Sequence, residues 1–309
     1  MLKRRLIGAA IIISAMIFLL WLDFLVGQPS VTGRPGVVLC LLAILTSGVA
    51  ASEVWHMFRA GGAVQQPQWL VVTMMVLATT ITCGPILYSV YPVDCPIGMF
   101  GWPLVGLITI VAISFLFEMS TFDVAAAESP GLVTHRIARS VMLCVYLLIL
   151  FTFLVAHRFL HHDNLLGQLA LVTLLSTVKL SDAFAYFTGK RFGTIKLAPR
   201  LSPGKTVQGS LGALVGGCVA AAINVFLVAP YIYGVTLELP WWWIPAYGIV
   251  VTIAGMFGDL AESLIKRDCQ SKDSSTWLKG LGGILDIVDS LVFAAPISWL
   301  LWILVKTTA

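Results

Sequence analysis

Residues 6–26 read LIGAAIIISAMIFLLWLDFLV, an apolar run in which only Ser14 and Asp23 carry polar side chains. A helix needs about 20 predominantly apolar residues to cross the hydrocarbon core of a bilayer. The basic tripeptide at residues 3–5 precedes the run, as in a secretory signal. The run is too long for such a signal, however, and no convincing small-residue cleavage site follows it. We therefore expect the first membrane-spanning helix here.

Eight further apolar runs of similar length follow, and together they predict an all-α polytopic integral membrane protein. The composition supports this, because 59% of the 309 residues are hydrophobic and only 11% are charged. Soluble domains carry about 25% charged residues, so this chain is not expected to cover a water-facing surface. The nine predicted spans lie near residues 6–26, 36–55, 69–91, 97–118, 138–157, 165–187, 210–232, 240–262 and 289–305.

The distribution of lysine and arginine predicts how the spans are oriented, since these residues favour cytoplasmic segments. With a cytoplasmic N-terminus and nine alternating spans, 15 of the 19 basic residues fall on the cytoplasmic side. Only Arg34, Arg158 and Lys306 fall outside, and Lys179 lies within a span. We therefore expect the N-terminus in the cytoplasm.

Cysteine, histidine and tryptophan give little indication of a site. The six cysteines form neither a CxxC motif nor a zinc-like cluster, so free thiols are expected, with a pair between Cys83 and Cys95 left as the alternative. The histidines of HRFLHHD, residues 157–163, are interpreted as solvated interfacial side chains rather than metal ligands. The tryptophans at 241–243 are interpreted as part of an interfacial aromatic belt.

Two predicted cytoplasmic segments are unusually rich in charge. Residues 188–209 carry five basic side chains, and residues 263–288 carry four more. Topology alone explains basic loops, so we expect no nucleic-acid partner from them. Topology does not explain why six of the 15 carboxylates lie within residues 259–289, namely Asp259, Glu262, Asp268, Asp273, Asp286 and Asp289.

Four of these acids form two pairs with helical spacing. Asp259 and Glu262 share a face at the end of one predicted helix, and Asp286 and Asp289 repeat the spacing at the start of the last span. Carboxylate oxygens are ligands for hard cations such as Mg²⁺. Either pair alone is explained by solvated helix ends and the helix dipole. Both pairs together favour a metal–phosphate site, because basic residues flank them: Lys266, Arg267 and Lys272.

Residues 201–209, LSPGKTVQG, contain the tripeptide GKT that ends a P-loop. A P-loop requires G-x-x-x-x-G-K-[ST] after a buried strand, and Pro199 stands where the first glycine belongs. No strand-like β-branched run precedes the stretch, so the P-loop is excluded and another form of phosphate contact is left open. A short glycine-rich entry to the last helix, Gly280, Gly282 and Gly283, has two interpretations: an anion site or a simple turn.

The sixth span carries ionisable residues at membrane depth. Within STVKLSDAFAYFTGK, residues 176–190, these are Lys179 and Asp182, with Ser181 between them. Ionisable side chains are costly in a bilayer and are candidates for function. The alternative is an ion pair between Lys179 and Asp182 that only joins helices.

The acidic and basic residues of the last loop resemble a known signature. Residues 263–289, SLIKRDCQSKDSSTWLKGLGGILDIVD, resemble the pattern S-x-x-K-R-x-x-x-x-K-D followed by P-G-H-G-G-x-x-D-R-x-D of phosphatidate cytidylyltransferases, also called CDP-diacylglycerol synthases. The preceding Gly258, Asp259 and Glu262 are similar to the lead-in of that pattern. The positions in register are Ser263, Lys266, Arg267, Lys272, Asp273, Gly280, Gly282, Gly283, Asp286 and Asp289.

A second motif of the same family resembles residues 181–213, SDAFAYFTGKRFGTIKLAPRLSPGKTVQGSLGA, and a weaker likeness, ASEVWHMFRAGG, surrounds Glu53. The chain departs from the family pattern at four positions. Lys279 replaces a proline, Leu281 a histidine, Ile287 an arginine and Gln208 a glutamate. Roles of those four family side chains are therefore not transferred.

The resemblance implies a nucleotidyltransferase that joins CTP and phosphatidate into CDP-diacylglycerol and pyrophosphate in phospholipid biosynthesis. It implies one membrane domain over residues 1–309, with N-terminal helices in 1–160 and a catalytic region in 161–309 that contains the loops 188–209 and 263–288. It further implies an inner-membrane location with the site facing the cytoplasm, contact with membrane lipids, and a homodimer. The alternatives are a CTP-dependent enzyme for another lipid acceptor, an inactive paralogue, and a transporter.

The resemblance also distributes roles over the site residues. Mg²⁺ is the expected cofactor, with a further monovalent or divalent cation left open, and its ligands would be Asp259, Glu262, Asp286 and Asp289. Lys266 and Arg267 are expected to take part in catalysis together with Asp259, Asp286 and Asp289. The expected substrate-binding residues are Asp182, Ser202, Lys205, Thr206, Ser263, Lys272, Asp273, Gly282 and Gly283.

Overall fold

The computed structural model of the chain describes residues 2–28, 30, 33, 35–62, 66–86, 97–122, 130–160, 164–271, 274–275 and 283–305, without the side chains of residues 2–13 and 99. Nine long helices run through these ranges. Their bounds are α1 Leu2–Val26, α2 Val37–Ala60, α3 Gln68–Thr82, α4 Gly98–Ser120, α5 Leu132–Arg158, α6 Asn164–Phe192, α7 Val207–Ile223, α8 Trp243–Asp268 and α9 Ile284–Ile303. A π-helical turn, Asn224–Val228, and a last α-helical turn, Ala229–Ile232, extend α7.

The helices confirm the predicted polytopic membrane fold. Within the described ranges, eight helices, at the positions of the second to ninth predicted spans, are long and apolar enough to cross a membrane. The first predicted span coincides with α1, whose residues 14–26 form a shorter apolar helix in the part with described side chains. The all-α prediction therefore holds.

Several helices run beyond the apolar segments that predicted them. The sixth predicted span ends near residue 187, whereas α6 continues to Phe192. The eighth ends near residue 262, whereas α8 continues to Asp268. Hydropathy detects only the apolar part of a helix, while lysine, arginine and glutamate extend it readily because their helix propensity is high.

One short hairpin interrupts the helical pattern between α6 and α7. Strands β1, Lys196–Ala198, and β2, Ser202–Thr206, are antiparallel, with Lys196 opposite Thr206 and Ala198 opposite Ser202. No β-branched run precedes GKT, as the sequence shows, but a strand forms there all the same, from lysine, proline and glycine that give no β-propensity signal. The exclusion of a P-loop is unaffected, since GKT lies inside β2 and not in a strand-to-helix loop.

The chain divides into two compact units. The first contains residues 1–155 and 268–287, and the second contains residues 156–267 and 288–309. In the first unit α2 packs on α1 and α3, and α3 packs on α4. Its core includes residues that are fully buried: Ala50, Met74, Met75, Ala78 and Leu147.

In the second unit α6 packs against α7. Glycines on α7 allow the approach, because a Cβ atom at Gly216 would stand 2.8 Å from the Cβ of Phe184 on α6. Small residues at helix contacts are a common way for membrane helices to pack. This pairing holds the two ends of the hairpin together, and so it fixes the hairpin relative to α6.

Two of the aromatic and histidine interpretations need correction in the second unit. His157 is fully buried, and its Nε2 lies 2.9 Å from the Ser298 hydroxyl, which is also 2.7 Å from the hydroxyl of Tyr247. The prediction of a solvated His157 was wrong, because helix packing supplies a polar partner that local sequence does not show. The other two histidines of that motif, His161 and His162, lie outside the described part, as does Asp163.

Two of the three tryptophans predicted to form an aromatic belt are exposed, and the belt itself stays a prediction. Trp241 and Trp242 are exposed, whereas Trp243 is buried and stacks on Tyr247 with ring centroids 4.8 Å apart. The five cysteines that the structure describes are free thiols, as expected, and Cys95 of the alternative pair lies outside the described residues.

Candidate active site

Three of the four carboxylates predicted as metal ligands converge in the second unit. Asp259 and Glu262 lie on α8, and Asp289 lies in the second turn of α9. One carboxylate oxygen from each of the three lies within 4.8 Å of the others. Glu262 and Asp289 are buried, and Asp259 is partly exposed, so the group is reached from the side of Asp259. We refer to these three residues as the carboxylate trio.

A glycine brings the two helices of the trio together. A Cβ atom at Gly258 would stand 2.5 Å from the carbonyl oxygen of Asp289, so any larger residue would push α9 away from α8. Asp259 follows this glycine directly, and Glu262 lies nearly one turn later on the same side of α8. The sequence GDLAE, residues 258–262, therefore encodes both the close approach and two of the three ligands.

Two lysines neutralise part of the trio's charge. The Nζ of Lys205 lies 2.6 Å from Asp259, and the Nζ of Lys266 lies 2.6 Å from Glu262. Three carboxylates so close together repel one another, and the two lysines offset two of the three negative charges. The remaining charge and the oxygen donors fit a hard divalent cation.

A cavity of about 420 Å³ opens beside Asp259. Its volume falls within the range of about 300–1,000 Å³ that is usual for ligand sites. It is lined by side chains of both charges and by small residues that let a ligand approach the backbone: Asp182, Ala185, Tyr186, Gly189, Lys190, Gly204, Lys205, Thr206, Gly209, Ser210, Ala213, Met256 and Asp259. Lys205 connects the cavity to the trio, because it lines the cavity and forms an ion pair with Asp259 of the trio.

Asp182 forms the predicted ion pair, but within one helix rather than between two, and its substrate-binding role stays a prediction. Its carboxylate lies 4.0 Å from the Nζ of Lys179, so the ion pair within α6 exists. Half of its side chain is nevertheless exposed, and it lines the same cavity as Lys205.

The hairpin residues predicted to contact phosphate differ in position. Lys205 and Thr206 line the cavity, whereas Ser202 is not among its lining residues. The hydroxyl of Thr206 accepts a hydrogen bond of 3.1 Å from the amide of Gly209, so this side chain is the N-cap of α7. Arg267 donates from Nε to the carbonyl of Leu201 at 3.2 Å and thereby ties the end of α8 to the hairpin turn.

Gln208, which replaces a family glutamate, fixes the start of the hairpin. Its Oε1 accepts hydrogen bonds from the amides of Thr194 and Ile195 at 3.1 and 3.3 Å, and its Nε2 donates to the Thr194 hydroxyl at 2.7 Å. A glutamate would accept the same two amide bonds. The replacement therefore keeps the structural function that this geometry shows.

We expect Gln208→Ala to loosen the hairpin and Gln208→Glu to leave it intact. Loss of the amide bonds should make tryptic cleavage after Lys196 and Arg200 about fivefold faster, because cleavage requires local opening. Timed digestion of the purified protein in detergent, followed by mass spectrometry, measures the rates. Equal cleavage of the alanine variant and the parent would contradict this role of Gln208.

Asp286, the fourth predicted metal ligand, belongs to the first unit and has well-defined partners there. Its Oδ2 accepts hydrogen bonds from the Gly283 amide at 2.7 Å and from the amide and hydroxyl of Ser274 at 3.2 and 2.6 Å. The bond from an acidic residue at the third helical position to the N-cap amide is half of a capping box. The metal-binding and catalytic roles of Asp286 stay predictions.

Glu53 completes the start of α9 and was given no role by the sequence analysis. It is 6% exposed, and its two carboxylate oxygens each accept a hydrogen bond of 3.0 Å, one from the amide of Ile284 and one from that of Leu285. The N-cap residue is Gly283, which has no side chain to cap the helix, and a Cβ atom there would collide with Glu53 and Ser274. The sequence did contain a signal that Glu53 has a role, because an acidic residue within a predicted membrane span is costly.

The other predicted site residues are less fully placed. Ser263 lies on α8 and is 9% exposed. Lys272, Asp273 and Gly282 lie outside the described residues, as do Lys279 and Leu281.

Comparison with known proteins places this site in a family. The sequence model described as the cytidylyltransferase family matches residues 3–305. A phosphatidate cytidylyltransferase of Chlamydia muridarum is 40% identical over 147 residues, which cover 46% of each chain. One of Brucella abortus is 40% identical over 141 residues, which cover 46% of this chain and 49% of the relative. The uncharacterized protein YnbB of Escherichia coli is 37% identical over 132 residues, which cover 42% and 41%.

The chain spans about half the length of the curated relatives it matches. The family match is much longer and includes both carboxylate-bearing helices, α8 and α9, as well as the hairpin. The chain therefore belongs to the cytidylyltransferase family.

Proposed function

We propose that the chain transfers a cytidylyl group from CTP to phosphatidate, giving CDP-diacylglycerol and pyrophosphate in phospholipid biosynthesis. The carboxylate trio, with Lys205 joining it to the adjoining cavity, is the observation that carries this proposal. Family membership supports the use of CTP, and the names of the relatives support phosphatidate as the acceptor.

Mg²⁺ is the proposed cofactor, because three carboxylates with a net excess of negative charge form a suitable oxygen donor set. Asp259, Glu262 and Asp289 would hold it, and the bound ion would supply positive charge for the nucleotide phosphates. A further cation held with the help of Asp286 belongs to the same proposal.

The reaction needs positioning and positive charge more than a strong base. An anionic oxygen of the lipid phosphate attacks the α-phosphorus of CTP, and the bond from that phosphorus to the bridging oxygen of the leaving pyrophosphate breaks. The nucleophile is already deprotonated near neutral pH, so the barrier comes from bringing anions together and from charge on the leaving group. Lys190 and Lys205 in the cavity, with Lys266 and Arg267 at the end of α8, would reduce this repulsion.

The proposal places the site at the cytoplasmic face of the bacterial inner membrane. The charge distribution of the sequence supports this side, where CTP is available, and phosphatidate presents its phosphate at the same boundary. A homodimer, implied by the family resemblance, is part of the proposal.

Pyrophosphate release by the detergent-purified protein tests the reaction. With CTP, phosphatidate and Mg²⁺ we expect release that requires all three and that falls to background in the matched Asp259→Asn variant. Activity with another lipid phosphate or alcohol, but not with phosphatidate, would mean that the acceptor is a different lipid. The enzyme would still use CTP, as the family does. If no acceptor led to pyrophosphate release, an inactive paralogue would be favoured.

A further inference from the structure

Residues 190–200 form a continuous exposed surface at the end of α6 and in the first half of the hairpin. We refer to it as the hairpin surface. Every residue in it is exposed except Ala198, which is half-buried. The sequence contains no aspartate or glutamate between Asp182 and Glu238, so the positive charge of this surface has no acidic neighbour in the chain segment around it. Its basic residues are Lys190, Arg191, Lys196 and Arg200.

The same surface exposes large apolar side chains. Phe192 is 61% exposed, Ile195 is 60% exposed and Leu197 is 37% exposed. Ile195 directly precedes β1 and Leu197 lies within it, so both belong to the start of the hairpin. The guanidinium carbon of Arg191 lies 5.7 Å from the ring centroid of Phe192, which places charge directly beside apolar area. Membrane topology explains the basic residues but gives no reason for an exposed isoleucine and leucine in the hairpin beside an exposed phenylalanine at the end of α6.

The flanking helices hold this surface at the membrane boundary. α6 ends at Phe192 and α7 begins at Val207, and both are among the candidate membrane spans. The hairpin is also rigid where it leaves α6, because the Val207 amide donates to the Ile195 carbonyl at 2.9 Å and Gln208 binds the two amides before β1. A surface that is already ordered loses little conformational entropy when it binds.

We infer that the hairpin surface docks on the anionic headgroup layer of the bilayer. Basic side chains beside apolar ones are the combination by which peripheral segments bind anionic lipid surfaces. Phe192, Ile195 and Leu197 would lie at the level where headgroups meet acyl chains, and the basic side chains would contact lipid phosphates. β2 continues from this surface to Lys205, so the same contact would hold the hairpin beside Asp259.

Hydrogen exchange of the full chain in lipid nanodiscs tests this inference without any substrate. Bilayers of phosphatidylcholine alone are compared with bilayers in which about a third of the lipid is phosphatidylglycerol. We expect backbone amides of residues 193–198 to exchange about tenfold more slowly in the anionic bilayer, and the difference to shrink at high salt because salt screens charge. Exchange within α6 and α7 reports whether each variant keeps its fold.

Two variants separate the contributions of charge and apolar area. R191Q/K196Q/R200Q and F192S/I195S/L197S should each lose most of the protection, whereas Trp241→Ser, which alters an exposed side chain just before α8, should retain it. Equal exchange in both bilayers would overturn the inference. Protection that appears in neutral detergent and grows with protein concentration would overturn it as well, because it would assign the surface to a second copy of the chain. Because no CTP is present, failure of the proposed reaction leaves this test unaffected.

Discussion

The Asp289→Asn variant is expected to lose about a thousandfold in turnover while its metal-free form melts at a higher temperature than the parent. Asparagine has the same shape, and its side-chain oxygen still accepts from the amide and hydroxyl of Ser290, which lie 2.5 and 3.0 Å from the carboxylate now. The substitution removes one of three mutually repelling charges, so it should raise the melting temperature by about 2 °C without metal. It also removes a ligand of the proposed Mg²⁺, and metal-assisted charge stabilisation is lost with it.

The two readouts together distinguish a metal site from a structural cluster. Pyrophosphate release gives the turnover, and thermal melting in detergent with and without Mg²⁺ gives the stability. The parent should gain stability from Mg²⁺, and the variant should gain less. Asp268→Asn is the control, because it also removes one negative charge but does so at the exposed end of α8, outside the trio. It should behave as the parent in both assays. If the metal-free variant melted at a lower temperature than the metal-free parent, the three carboxylates would not repel one another. The trio would then not be a ligand set.

The Glu53→Ala variant is expected to destabilise the first unit by about 2–4 kcal/mol. Alanine removes the acceptors of both the buried Leu285 amide and the partly buried Ile284 amide. It also removes a negative charge from the N-terminus of α9, where the helix dipole favours one. Thermal melting measures the loss, and hydrogen exchange of residues 284–287 should show that the first turn of α9 opens.

A graded series checks the capping explanation. Glu53→Gln keeps one side-chain oxygen as an acceptor and should lose about half as much stability as Glu53→Ala. Glu238→Ala removes an exposed glutamate between α7 and α8 and should have no effect. If Glu53→Ala melted with the parent while residues 284–287 stayed protected, the cap would contribute nothing.

Hydropathy was sufficient to predict the spans because a bilayer demands length and apolar character from each one. It could not predict where α6 and α8 end, since the last turns contain Lys190 and Arg191 in one helix and Lys266 and Arg267 in the other. The hairpin was missed for a related reason. Its order comes from the side chain of Gln208 and from strand pairing rather than from β-branched residues.

The carboxylate spacing predicted which acids share a helix face, and this is why Asp259 and Glu262 were found together. Their meeting with Asp289 depends on the bare backbone of Gly258, a contact between helices that no single-helix pattern contains. Glu53 shows more clearly what a pattern within one helix cannot predict. Its partners are amides, which every residue carries, so nothing in the side chains at 284 and 285 indicates the bond.

That bond also has a consequence for the order in which the protein is made. Glu53 and the amide of Ile284 are 231 residues apart, so the ribosome completes α2 long before the donors exist. The first unit includes residues 268–287, and it closes only after the ribosome has synthesised those residues. Chains that stop short of residue 284 would keep most of their helices but present a carboxylate inside α2 with neither amide to receive it. An incomplete product would thus carry a local defect through which membrane proteases could distinguish it from the finished protein.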